Sequence, residues 1–392
     1  MRMRADAERF LPPGLAPDAA SPVTVIPGEP ARRPLPQARG LCLSGGGYRA
    51  MLFHLGALWR LNELGELSRL DRVSSVSGGS VTAGVLAHGW GRLAFDAQGR
   101  AENFEEVVVR PVRALAGRTL DLPAILLGLL TRGGAGARLA DALDRHLFGG
   151  ACLSGLPVRP RFVFNAANLQ SGVLWRFSRE AMADWRVGTV RRPRERLAVA
   201  VAASAAFPPF LSPVTLRLSP GDFERGSGDD LETPEYQRTV VLTDGGLYDN
   251  LGLETCFREC GTVWVSDAGG RIGPTAAPPT DWVRQGLRAS EFVYSQVRGV
   301  RLRQLIAAYK EGARRGAYWG IRTDLSRHPV VEGLRFREDP RRLARLPTRF
   351  KGWPAATQEA LVNWGYAVCA ASAAKHGGLA TPAATRVPYP HA

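Results

Sequence analysis

The chain has 392 residues, 45% hydrophobic and 22% charged, which allows one large or two ordinary globular domains whose core needs neither disulfides nor a metal. No apolar run nears the ~20 residues of a membrane span, residues 1–12 lack the apolar core of a secretion signal, and five scattered cysteines suit reduced thiols in the cytoplasm. The net charge of +15 favours an anionic partner; without zinc-finger spacing or an aromatic RNA-binding signature, a membrane headgroup surface fits better than nucleic acid, so no nucleic acid is expected.

Residues 1–38, rich in Pro, Ala and Arg, are predicted as a flexible leader, 39–376 as a single catalytic domain and 377–392 as a tail. A short apolar strand at 40–44 runs into Gly45, Gly46 and Gly47, followed by Tyr48 and Arg49. Consecutive glycines can turn their amides toward one point and make an anion-binding nest. Such a nest serves as an oxyanion hole or cradles a phosphate, although neither the Walker lysine nor the dinucleotide glycine spacing is present. A plain packing turn is the third reading. Leu52, Leu55 and Trp59 then recur at helical spacing until about Gly65.

A second strand at 72–76 ends in Ser77, Gly78 and Gly79 and another helix. Two strand, glycine turn, helix units in succession predict an α/β fold with a mainly parallel sheet. The run Ser75-Val76-Ser77-Gly78-Gly79 has the form of a nucleophile elbow, in which small flanking residues permit a turn tight enough to lift the serine Oγ clear of the sheet. Ser75 stands where the first glycine of that motif usually lies. The following helix points its N-terminal amides at the serine.

Residues 101–157 read as mostly helical and include an apolar segment at 122–130. A hairpin is predicted for 162–167 and 173–178, and a small-residue helix for 197–206 before Pro208 and Pro209. The acidic stretch 219–238 lacks an EF-hand spacing and reads as a solvated loop. Strands at 239–242 and 262–265 end at Asp244-Gly245-Gly246 and at Asp267. Strand carboxyl ends share one edge of a parallel sheet, so Asp244 can face Ser77 and act as its general base. Asp249 and Asp267 are its rivals. Cys256 and Cys260 share a helical face but have no partner pair for zinc, which leaves core packing. A long basic amphipathic helix at 281–315 suits a membrane surface or a buried helix with a solvated rim, and a last helix spans 359–374.

The G-G-G-x-R loop, the S-x-S-x-G elbow and the D-G-G turn, in that order, resemble the patatin-like phospholipases. The resemblance runs from about Arg39 to His376 and takes in Ala202-Ala203-Ser204, Asp244 to Asn250, and Leu361-Val362-Asn363-Trp364-Gly365-Tyr366. It implies a three-layer α/β/α fold and a dyad of Ser77 and Asp244 without catalytic histidine. It also implies an oxyanion hole at Gly45, Gly46 and Gly47, supported by Arg49, Ser75, Gly78, Gly79, Gly245 and Gly246. The expected activity is hydrolysis of acyl esters in phospholipids or lysophospholipids, without metal or cofactor, at the inner membrane surface. The alternatives are a soluble esterase or thioesterase with the same dyad, and a non-catalytic lipid-binding protein. His328 and His376 follow Asp244 in the order of a hydrolase triad, but both, like His54, have structural settings in the sequence.

Overall fold

The structure is a computed structural model that describes residues 35–129, 133–270, 272–328, 339–379 and 386–391. Of the predicted leader only residues 35–38 fall among them; the rest of that expectation lies outside. Strand β1 (Leu35–Leu43) begins exposed and is buried on both faces from Gly40 to Leu43, where side chains alternate between the faces. Leu41 and Leu43 point into the main apolar core and Cys42 into a second, smaller one. Helix α1 (Gly47–Glu63) follows, then β2 (Arg72–Ser75) and α2 (Gly78–Gly89). The predicted helical region resolves into α3 (Arg110–Ala116), α4 (Asp121–Leu129) and α5 (Gly134–Leu143).

Strand β3 (Arg161–Asn168) leads into the antiparallel ribbon β4 (Leu174–Phe177), β5 (Ala181–Asp184) and β6 (Gly188–Arg191). Beyond them come α6 (Leu197–Ser204), β7 (Val214–Arg217), α7 (Pro234–Arg238) and β8 (Thr239–Asp244). The chain continues through α8 (Gly246–Asp249), α9 (Leu253–Phe257), β9 (Cys260–Asp267) and α10 (Trp282–Lys310). It ends with β10 (Arg315–Gly320), α11 (Pro340–Arg345) and α12 (Ala355–His376). The predicted helix at 281–315 is five residues too long at its end, because Gly312 takes φ 71° and turns the chain into β10.

The sheet is mixed. Strands β10, β9, β1, β2 and β3 are parallel, whereas β4, β5, β6, β7 and β8 join antiparallel. Helices α1, α2, α6 and α12 fill the main core on one face, and α9 with Leu305 of α10 fills the second core on the other. That is a three-layer α/β/α sandwich. Helices α1 and α12 cross at glycines: a Cβ on Gly56 would lie 1.9 Å from the Val362 carbonyl oxygen, and one on Gly365 1.9 Å from that of Phe53. Those contacts explain why a glycine interrupts the aromatic run near residue 365. Among the described residues no helix is long and apolar enough to cross a membrane.

Candidate active site

Ser77 sits between β2 and α2 with φ 52° and ψ −123°, a conformation that L-residues rarely adopt. Its cost is met by backbone anchoring on both sides. The Ser77 amide donates to the carbonyl oxygen and the Oγ of Ser204, at 3.1 and 3.0 Å. Ser204 Oγ in turn donates to the Asn165 carbonyl at 2.6 Å and lies 2.8 Å from Ser80 Oγ. Ser75 is wholly buried, with its hydroxyl 3.0 Å from that of Ser80, so the departure from glycine there is absorbed by a hydroxyl cluster behind the elbow. The turn is closed by Gly78, where a Cβ would lie 2.0 Å from the Gly47 carbonyl oxygen.

Asp244 reaches Ser77 by a route other than a shared parallel edge. Strand β2 pairs with the first half of β3, ending at Ser75 opposite Phe164. Strand β8 runs the opposite way along β3 and ends with Asp244 opposite Ala166. The two strands therefore point their carboxyl ends at each other along a common neighbour. The end of α6 joins them: Asp244 N donates to Ala206 O at 3.0 Å, and Gly245 N to Ser204 O at 3.3 Å. A Cβ on Gly245 would lie 2.2 Å from the Asn165 carbonyl oxygen, so only glycine lets the turn press against β3. Asp244 Oδ1 accepts from the Gly246 amide at 2.7 Å, while Oδ2 is buried and closes no hydrogen bond among the described residues. Burial pushes its pKa up to about 7, opposed by the Gly246 amide and the Ser77 hydroxyl.

The glycine loop lies against both turns. A Cβ on Gly45 would come within 3.1 Å of Ser77 Cβ. Gly46 takes φ 142° and Gly47 φ 57°, and among the described residues the amides of Gly46, Gly47 and Gly78 have no acceptor in the protein. Gly45 departs from the expectation of three free donors: its amide is spent on the Asn250 carbonyl at 3.0 Å. A Cβ on Gly79 would meet the Leu43 and Ser44 carbonyl oxygens at 2.5 and 2.6 Å, so the elbow helix packs backbone to backbone on this loop. Arg49 is buried and clamps the rim, donating to the carbonyls of Ala268, Ala344 and Leu346 at 2.7, 3.2 and 2.7 Å.

The rival carboxylates are engaged elsewhere. Asp249 accepts from the amides of Leu251 and Glu254, at 3.1 and 2.8 Å, and so braces α9. Asp267 binds Arg298, the Tyr318 hydroxyl and the Gly269 amide; burial alone would raise its pKa, but these partners hold it below the usual carboxylate value. His54 is fully buried; Nε2 donates to the Ser44 carbonyl at 2.9 Å and Nδ1 accepts from the Ser266 hydroxyl at 2.8 Å. Burial pushes it down to about 4, so it is neutral. His328 and His376 stack edge to face on each other. Sequence reasoning assigned no role to Asn165, Ser204, Asn250 or Tyr294. Ser204 and Asn250 lie in runs it singled out, whereas Tyr294 on α10 carries no local signal.

A family model, the patatin-like phospholipases, matches residues 41–257. Human GIVD cytosolic phospholipase A2 is similar in structure at a TM-score of 0.48 and 14% identity, with 86% of this chain and 61% of that one covered. VipD from Legionella pneumophila gives a TM-score of 0.36 and 17% identity, covering 87% and 70%. This chain thus spans about three-fifths of the length of the human enzyme. No curated protein matches the sequence. The matched segment begins in the strand before the glycine loop, contains Ser77 and Asp244 in order, and covers more than half of the chain, so the protein belongs to the patatin-like phospholipase family.

Proposed function

We propose that the protein is a serine acyl hydrolase of lipid esters, with Ser77 as nucleophile and Asp244 as base. The observation that carries this reading is a buried carboxylate oxygen that, among the described residues, closes no hydrogen bond, beside a serine held at positive φ and a set of amides unspent among those residues. Asp244 Oδ2 takes the Ser77 proton as Oγ attacks the ester carbonyl. The oxyanion is received by Gly46 and Gly47, with Gly78 at the helix start beside them. The proton passes to the leaving alcohol as the C–O bond breaks. Water then enters, Asp244 takes its proton as the oxygen attacks the acyl carbon, and the acyl–Oγ bond breaks with that proton returned to Ser77 Oγ, releasing free fatty acid. Histidine has no part in this sequence, since His54 is neutral and committed to Ser44 and Ser266. A non-catalytic binding protein would have no use for the buried, unpartnered Asp244 oxygen.

The substrate side of the proposal is a phospholipid or lysophospholipid met at an anionic membrane face, with the protein peripheral and cytoplasmic. Helix α10 supports it: Trp282, Val283, Leu287, Phe292, Val293 and Val300 are exposed although apolar, and Arg284 and Arg288 stand among them. Only Leu305 and Ala308 of its 29 residues are buried. The deciding experiment is labelling with a fluorophosphonate followed by peptide mapping. Modification of Ser77 in wild type, its loss in Ser77→Ala, and release of fatty acid from phospholipid are expected. A folded protein that neither labels nor releases fatty acid would overturn the assignment.

A further inference from the structure

Helix α10 lies outside the segment that the family model matches, yet it delivers a side chain into the site. A methyl group on Gly246, two residues from the base, would lie 3.5 Å from Tyr294 Cε2. The half-buried side chain thus stands beside the Asp244 turn, where Asp244, Arg298, Asp267 and Arg49 supply the nearby charges. One turn further along α10, Arg298 binds the buried Asp267, and Arg301 lies 3.7 Å from Asp249, which together fix this part of the helix over the site.

The members of that ring differ in how they are spent. Both terminal nitrogens of Arg49 are bonded to carbonyls, and Arg298 is bonded to Asp267. Among the described residues, Asp244 Oδ2 and Asn250 Nδ2 are buried without hydrogen-bond partners. Tyr294 makes no hydrogen bond through its hydroxyl among the described residues. The residue is half-buried, and a hydroxyl donor left open beside a nucleophile is open to substrate. Its position selects which part of the substrate. The glycine amides stand on the β1 side of Ser77 and take the carbonyl oxygen, whereas Tyr294 stands on the Asp244 side, where the proton returns to the leaving alcohol.

Resting on the reading of Ser77 and Asp244 above, we propose that Tyr294 donates a hydrogen bond to a glycerol or phosphate oxygen of the leaving half of a bound phospholipid or lysophospholipid, beyond the scissile ester oxygen. Helix α10 then supplies substrate selectivity to a dyad built by the rest of the domain. No bond is made or broken by Tyr294; its proton stays on the phenol.

The test compares two alkyl esters with the same acyl chain, 1-hexanoyl-lysophosphatidylcholine and hexyl hexanoate, with wild type and Tyr294→Phe. The expected result is a fall in kcat/KM of at least tenfold on the lysolipid, within about twofold of wild type on hexyl hexanoate, and an unchanged rate of fluorophosphonate labelling. Equal loss on both esters would make Tyr294 a support of the dyad, and no loss on either would make it packing; both results overturn the proposal. A measurement on the unaltered enzyme stands apart from the folding of the variant: wild type must prefer the lysolipid over hexyl hexanoate in kcat/KM, and equal values overturn the proposal too. If wild type cleaves neither ester and does not label, the hydrolase reading itself has failed, and this failure is distinct from those of Tyr294.

Discussion

At the scale of single residues, the cost and the use of Asp244 have one origin. A carboxyl in water ionises near 3.8, and burial raises that of Asp244 to about 7. If it is the base, kcat/KM must rise with pH through about 7 as the group loses its proton, and flatten above it. The sign for stability is opposite. A raised folded-state pKa favours the protonated fold, so its contribution is full below 3.8 and is lost as pH climbs through 7. Asp244→Asn should therefore abolish turnover while its stability relative to wild type improves by roughly 2–3 kcal/mol between pH 5 and pH 8. Paired urea melts at the two pH values measure this, and a constant difference would show that Asp244 is not the titrating group. His54 makes the opposite case. It is pushed down to about 4 and bonded on both nitrogens, so His54→Ala should cost about 1–3 kcal/mol of stability through the orphaned Ser44 carbonyl and Ser266 hydroxyl. Turnover by the folded fraction should stay within a few-fold of wild type.

Elements carry the site because three turns meet backbone to backbone, and glycine is the residue that permits it. Gly78 approaches the Gly47 carbonyl, and Gly46 holds φ 142° with Ala268 O 3.0 Å from where a Cβ would stand. Gly46→Val should thus lower kcat by at least 10²-fold through displaced amides, as expected for loss of an oxyanion donor, and circular dichroism should still report the fold. Normal turnover by this variant would remove the loop from the mechanism. These turns were legible in the sequence because each is a local pattern: glycines, a small-residue elbow, an acidic D-G-G. What was not legible is how they come together. The antiparallel entry of β8 depends on pairing with Ala166 to Asn168, more than seventy residues earlier, which no local period encodes. The strands β5, β6, β7 and β10 are only four to six residues long, too short for alternation to stand out. The spending of the Gly45 amide on Asn250, and the arrival of Tyr294 from α10, are tertiary contacts with no sequence period behind them.

On the scale of the whole molecule, the charge of +15 and the exposed apolar residues bear on one question, how a protein with its proposed dyad almost closed to water would meet a lipid. Ser77 is 7% exposed and Asp244 2%, so substrate has to enter past the elements that border them. Two of those borders are apolar on the outside. Helix α10 presents Trp282, at 84% exposure, with Leu287 and Phe292; α4 presents Leu122 and Leu126. Helix α4 is tied to the glycine loop, since Asp121 at its start pairs with Arg349 at 2.7 Å and the Arg349 carbonyl accepts from Tyr48 N. An apolar side chain that enters a membrane interface gains about 1.5–3 kcal/mol, and each nearby arginine adds about 1 kcal/mol on an anionic surface at low salt. Binding to phosphatidylglycerol vesicles should therefore be tight at low ionic strength and weaken as the Debye length falls from about 10 Å at 0.1 M salt to about 3 Å at 1 M. The residual at high salt belongs to the apolar contacts. Trp282→Asp with Leu287→Asp should reduce vesicle binding at least tenfold at any salt, while cleavage of a soluble ester stays within twofold, because neither side chain is buried against the core. Sedimentation with vesicles of graded phosphatidylglycerol content measures both effects. If the double variant sediments like wild type, or binding ignores salt, α10 is not the face that meets the membrane.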